Sequence, residues 1–403
     1  MAQRILDPAS GSSVSTEAQH GLTDHTHGVG GTPVSSRADH FASFDVDAFE
    51  VPGGREEIWR FTPMKRLANL HNGAAATGSA GVEVKAPAEI TVETVPRGDA
   101  RLGVAGTPSD RIAAQAWSSF TDATLLTVGK NAEIAEPTLV TVTGPGEGKV
   151  AYGHLQIRSE LFSKAVVVLD HRGSGAYADN IEFVVGDGSH LTVISVQDWA
   201  DDAVHVSSHH ASLGRDATFR HTAITLGGDV VRLTPTVTYT GKGGDAELNG
   251  LYFADHGQHL EHRTFIDHAV SNCRSNVVYK GALQGEGAHT VWIGDVLIRA
   301  AAEGTETYEL NRNLVLTDGA RADSVPNLEI ETGEIVSAGH ASATGRFDDE
   351  QLFYLQARGI PEDQARRLVV RGFFHEILLK ITVPEVRERL EAAIEAELEA
   401  VGA

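Results

Sequence analysis

Between about Thr121 and Ile335 the chain falls into short runs rich in Val, Thr, Ile and Leu, several of them alternating apolar with polar residues: "TLVTVTG", "KAVVVLD", "LTVISVQ", "RHTAITL" and "TPTVTYT". Alternation with a period of two sends successive side chains to opposite faces, so these runs predict strands. The turns that separate them resemble one another: "GKNAEI" from Gly129, "GDGSHL" from Gly186, "GRDATF" from Gly214, "GGDAEL" from Gly243, "GEGAHT" from Gly285 and, more weakly, "TDGARA" from Thr317. Starts at 186, 214 and 243 are 28 and 29 residues apart, and 129 to 186 is 57, two such periods. A repeat of that length with a small residue at each corner predicts a β-solenoid, in which every coil stacks on its neighbours. A Greek-key sandwich is the alternative, because it too is punctuated by turns. In the solenoid reading, Gly188 and Gly243 sit at corners that need positive φ.

The flanks read differently. Residues 1–40 are rich in Ser, Gly, Thr and His without apolar periodicity, which predicts a disordered tail. Residues 41–120 mix aromatics and charges in short helical pieces, one of them Glu56 to Arg60, ending near Pro63. The core is expected over 121–346, and residues 347–403 are helical. There Asp348 and Gln351 have the spacing of a capping box, and Gly359 suits the position after a helix end. Pro361 opens a second helix at its first position, with an apolar stripe of Leu368, Val369, Phe373, Ile377, Leu378 and Ile381. Pro384 opens a third, with Val386, Leu390, Ile394 and Leu398 spaced by four.

Composition narrows the function classes. A formal net charge of -22 argues against binding to a phosphate backbone, which rests on clustered Lys and Arg. No run of 18 apolar residues exists, and the first residues lack the apolar segment of a secretory signal, so a cytoplasmic protein with no membrane association is expected. The single cysteine, Cys273, excludes an intrachain disulfide and cannot hold a metal cluster alone; a buried, inert thiol is expected. No G-x-x-x-x-G-K-[ST] phosphate loop is present, so ATP-driven motion must come from another subunit.

Histidines supply the candidate chemistry. His340 lies among Ala, Gly and Ser in "IVSAGHASATG", where small neighbours leave an imidazole accessible as a borderline ligand suited to iron. In "ADHGQHLEHRTFIDHA", parity puts His256, His262 and His268 on one face of a strand and His259 on the other, which makes a polar ladder on the solenoid surface rather than a compact three-histidine site. His25 and His27 in the tail could hold a metal only weakly, and His375–Glu376 lacks the second histidine of a zinc protease and reads as helix surface. Asp255 and Asp267 are the acid pair of a rival reading, a β-helix carbohydrate-active enzyme. A cupin-like metal enzyme built on the clustered histidines is a second rival.

The stretch Asn311 to Ile360, "NRNLVLTDGARADSVPNLEIETGEIVSAGHASATGRFDDEQLFYLQARGI", resembles the SufB/SufD family of iron–sulfur cluster assembly proteins, as do "YKGALQGEGAHTVWIGDVLI" and, more loosely, "EEIWRFTPMKRL". The resemblance implies a mainly β fold, a right-handed parallel β-helix flanked by N- and C-terminal helical regions. His340 is followed by Ala341 rather than Glu, and no cysteine follows Cys273, which resembles the SufD-type branch; Ala338 stands where that branch often has Cys. The resemblance further implies a non-catalytic scaffold that pairs with a SufB-like subunit and a SufC-like ABC-type ATPase, a homodimer being the alternative without them. It places His340, with His268 as second choice, at the interface where iron or a nascent cluster is held, no cofactor being bound tightly by the chain alone. The ATPase is expected on the helix from Pro361, through Leu368, Arg371, Phe373, Phe374 and Ile377; the alternative is that this helix caps the open end of the solenoid.

Overall fold

Among the described residues, eighteen strands run from β1 (Gly81–Lys85) to β18 (Ser337–Arg346) and sort into two nine-stranded sheets. The structure is a computed structural model, and it describes residues 41–347 and 349–400. The tail expected over 1–40, with His25 and His27, therefore lies outside the described residues, as does Asp348 of the expected cap. From β3 (Asp122–Val128) onward, successive strands fall alternately into the two sheets, and each pairs in parallel with the strand two places away in sequence. That is a β-solenoid. Sheet I holds β1 and the even-numbered strands from β4 (Thr138–Thr143) to β18; sheet II holds β2 (Ile90–Pro96) and the odd-numbered ones from β3 to β17 (Arg321–Ile330).

Inward-facing residues such as Leu169, Val193, Leu248, Ile266 and Val277 stack coil upon coil into one core. Most strands in the middle of the solenoid are buried on their outer face as well. Both faces are covered, which is why several runs lose the alternation expected of half-exposed strands.

The coils turn on a row of left-handed residues. Asn131, Phe162, Gly188, Asp216, Gly243, Asn272 and Gly304 all have φ between 54° and 77°. The amides link one corner to the next: Phe162 N–H donates to Asp187 O at 3.0 Å, Gly188 to Arg215 O at 2.8 Å, and Asp216 to Lys242 O at 2.9 Å. The turns from Gly285 and Thr317 belong to the opposite corner, where Gly287 and Gly319 carry the positive φ. The repeated sequence is thus two corner rows that share one turn chemistry.

The N-terminal segment departs from expectation at two places. Glu56 to Arg60 lies in a bend and reverse turns rather than a helix, with the Glu56 carboxylate accepting the Gly53 and Gly54 amides. Residues 81–96 supply β1 and β2, which pair antiparallel with β4 and β3 at the first coil. The one α-helix described before the strands of the solenoid, α1 (Arg111–Ser119), is capped by Asp110, whose carboxylate accepts from Ala113 N–H at 2.9 Å. This segment lies on the outer face of sheet II. Arg232 anchors it there, buried between Asp110 at 3.1 Å and Glu261 at 3.2 Å with its guanidinium 4.2 Å from the Trp59 ring centre, while Thr62 donates to Glu261 at 2.7 Å. Removing one partner would leave a buried charge uncompensated.

Three helices follow the strands: α2 (Asp349–Ala357), α3 (Glu362–Leu378) and α4 (Pro384–Ala400). Gly359, at φ 84°, ends the first, and Pro361 is the N-cap of the second, one position earlier than read from the sequence. The buried stripe of α3 is also shifted. Val370, Phe374, Ile377, Leu378 and then Ile381 are the buried positions, whereas Leu368 is half exposed. They pack on the outer face of sheet I against Val196, Ile224, Leu251 and Val278. Lys280, Gln284 and Asp170 of that sheet fasten the helices through Phe373 O, Glu397 O and Arg389. The helices lie across the side of the solenoid, contrary to the alternative that they cap its end. None of the described helices is long and apolar enough to cross a membrane.

Candidate functional site

The last coil presents the first candidate. His340 is exposed on β18, a strand paired on one side only, with Ala338, Gly339, Ala341 and Ser342 around it. Its register partner on β16 (Glu306–Val315) is Glu309, which belongs to the inward-facing row Thr307, Glu309, Asn311, Asn313. His340 therefore continues that row, and it is exposed because no further coil covers it. The row is hydrogen-bonded below: Asn311 Nδ2 donates to the Tyr252 hydroxyl at 2.8 Å, and Tyr252 in turn to Asn313 Oδ1 at 2.8 Å.

Glu309 is a residue that sequence reasoning missed. It is buried, and neither carboxyl oxygen has a hydrogen-bond partner. Gly294 on β15 (His289–Ile298) sits against it, where a side-chain carbon would come within 2.8 Å of Glu309 Oε1. Burial, reinforced by the charge of Asp295, pushes the carboxyl well above the usual range, which favours its neutral form. The signal was present in the period-two sequence "TYELNRN", where Glu309 shares the parity of Thr307, Asn311 and Asn313.

His268 is placed elsewhere. It ends β13 (His259–His268), inside the solenoid, stacked on the Tyr239 ring at 4.8 Å between centres. Its Nε2 is 2.9 Å from Ser275 Oγ, which is 2.6 Å from Thr307 Oγ1, and Thr307 is the register partner of Ala338. A file of hydroxyls thus runs from His268 to the last coil, ending under the position where the resemblance often places Cys. Burial pushes the His268 pKa down to about 4, so the ring is neutral, and the structure does not bring it into contact with His340.

The remaining histidines of that segment do not form a site. His262 shares the interior face with His268, stacked on Tyr252 and 2.9 Å from Thr225 Oγ1. His259 faces outward to Glu261 and His289, and His256 lies in the preceding turn. Parity separated His259 correctly, but the ladder lies inside the solenoid and not on its surface. Asp267 is held by Arg299 at 2.7 and 2.9 Å, and Asp255 closes a turn by accepting the His256 amide, which gives the acid pair structural roles. Cys273 is buried, and burial pushes its thiol up. Glu376 is exposed on α3, its carboxyl lowered by the Lys280 ammonium 2.8 Å away.

Of the docking candidates, Leu368 and Arg371 face solvent, Arg371 lying 3.4 Å from Glu391. Phe373 is half buried, 5.5 Å from Lys280 Nζ, while Phe374 and Ile377 are spent on sheet I. Phe353 and Tyr354 on α2 and Leu379 after α3 are exposed apolar residues as well.

Comparison with known proteins agrees with this architecture. A family model described as "SUF system FeS cluster assembly, SufBD core domain" matches residues 141–373. An "Iron-sulfur cluster assembly SufBD family protein" of Mycobacterium bovis is 66% identical over 386 residues, 94% of this chain and 96% of that protein. One from Mycobacterium leprae is 65% identical over 365 residues, 89% of this chain and 93% of its own length. A second protein of Mycobacterium leprae with the same description is 28% identical over 233 residues, 58% of this chain and 26% of its own.

Proposed function

The chain belongs to the SufBD family of SUF-system iron–sulfur cluster assembly proteins, and from that premise we propose that it is the SufD-type scaffold of a cytoplasmic assembly complex. In this reading the chain is not itself a catalyst. It pairs with a SufB-like subunit through its last coil and takes its ATP-driven motion from a SufC-like ATPase docked on the helical side. The nascent cluster, or the iron for it, is the cargo held at the subunit boundary, where His340 offers one nitrogen ligand.

The observation that carries the reading is the bare last coil. β17 and β18 each have an unpaired edge, and His340 stands on one of them surrounded by residues too small to shield it. An uncovered parallel edge ten residues long is a template for a second strand. That Mycobacterium leprae has two family members, one close to this chain and one distant, supports a pair of unlike subunits. Exposed Leu368 and Arg371 support the ATPase surface.

Purification of the tagged chain co-expressed with a SufB-like subunit and a SufC-like ATPase of the same organism tests this. Stoichiometric recovery of both is expected. A chain that elutes alone, or only as a homodimer with the partners present, defeats it.

A further inference from the structure

Within the solenoid, three ligand-type side chains converge from neighbouring coils. His171 on β6 (Lys164–Gly173), Asp179 on β7 (Ala176–Val185) and His205 on β9 (Val204–Leu213) are all buried, and one ligand atom from each lies within 4.8 Å of the other two. Two imidazoles and one carboxylate form a donor set suited to Zn²⁺, Co²⁺ or Fe²⁺ and poorly suited to hard cations such as Ca²⁺.

The hydrogen bonds around the cluster fix one ring. Trp199 Nε1 can only donate, so the Gln197 atom 2.8 Å from it is the carboxamide oxygen. That oxygen is also 2.8 Å from His205 Nδ1, a contact that suits a proton on that nitrogen, and Trp199 Nε1 lies 3.2 Å from the same atom. The other nitrogen, Nε2, faces Asp179 Oδ1 at 3.3 Å. Such a contact is held either by a shared proton or by a metal ion between the two atoms. A metal-binding histidine whose second nitrogen donates to a carbonyl is also the usual outer arrangement of a metal site. His171 rests its Nδ1 on Gln197 Nε2 at a long 3.2 Å, and its Nε2 has no partner.

A cavity of about 80 Å³ adjoins the cluster, lined by Tyr152, Gly153, His154, Leu155, Tyr177 and Asp179 among others. It has room for water to complete a coordination sphere. We propose that His171, Asp179 and His205 form a binding site for one divalent transition-metal ion inside the solenoid, with its remaining positions open to water in this cavity. The site is separate from His340 and does not depend on the pairing of subunits.

The test uses the purified full-length chain, stripped with chelator and titrated anaerobically with Co²⁺, with the visible bands recorded and bound metal counted after gel filtration. One equivalent is expected for the wild type and for a His25→Ala/His27→Ala variant, and at least tenfold weaker binding for Asp179→Asn and His205→Gln. No retention by the wild type, loss with the tail variant, or undiminished retention by both interior variants overturns the site. Should the interior variants unfold, X-ray absorption on the Co²⁺-loaded wild type decides. A first shell with two imidazoles supports the site, and an oxygen-only shell overturns it.

Discussion

Glu309 and His340 are register partners on adjacent strands, so a buried carboxyl with neither oxygen hydrogen-bonded lies one coil beneath the exposed imidazole. The imidazole contributes little packing at that place. His340→Ala is therefore expected to leave the thermal midpoint and complex formation nearly unchanged while lowering cluster assembly on the reconstituted complex. Loss of folded protein would show that the ring is structural instead.

The carboxyl has its own pH signature. Because folding raises the Glu309 pKa, the unfolded chain releases this proton first as pH rises, and the group's contribution to stability falls above about pH 4.5. Glu309→Gln removes that loss. Its gain in stability over wild type, from denaturant curves, should be larger at pH 8 than at pH 5, and an equal or smaller gain at pH 8 contradicts a raised pKa.

The interior histidines act in the opposite direction. Burial lowers His171, His221 and His268 to about 4 and His262 to about 3, so below about pH 6.5 the unfolded chain takes up protons that the folded chain refuses. Each such group contributes stability above pH 6.5 that is lost as pH falls, at up to about 1.4 kcal/mol per pH unit per proton. Urea midpoints should drop steeply between pH 7 and pH 5. A flat profile would mean these rings are already protonated or hydrated in the fold.

The corner row gives a backbone prediction. Gly188→Val and Gly243→Val place a branched residue at φ 62° and 77°, with the added carbons pressed on Phe162 and Asp216. Each should cost about 1 kcal/mol or more. Unchanged melting of both variants would contradict the corner geometry.

The helical side separates docking from packing. Leu368→Asp and Arg371→Glu change solvent-facing positions and should leave folding intact while weakening ATPase pull-down. Phe374→Asp buries a charge against sheet I and should destabilise the chain by about 3 kcal/mol or more. Undiminished pull-down by both folded surface variants would move the ATPase elsewhere.

Period-two runs and repeated corner turns made the solenoid legible, because the corners impose local backbone demands that only a few residue types meet. What local pattern could not convey was which face another segment covers. The α3 text "RRLVVRGFFHEILL" carries two overlapping apolar stripes, and only the sheet beneath decides that Phe374 rather than Leu368 is buried. "GVEVK" and "ITVETVP" alternate plainly, but each is short and set among Gly, Ala and Pro, so pattern alone does not convey that they complete the first coil. His340 was visible through its small neighbours. The parity of Glu309 is legible in "TYELNRN", but its lack of a partner is not, and His171, Asp179 and His205 become notable only when stacking brings them together across coils.

The two ends of the solenoid differ in a way that limits what the chain can build. At the first coil the outermost strands are β1, five residues long with Glu83 and Lys85, and β2, which carries Glu93 and ends in Pro96. At the last coil β17 carries Arg321, Asp323, Pro326 and Glu329, whereas β18 offers ten residues, uncharged until Arg346. Short, charged or proline-bearing borders resist further strand addition, and the longer neutral one invites it. A body adhesive at one end alone forms pairs and then stops, so the chain is protected by its own polarity from growing into filaments.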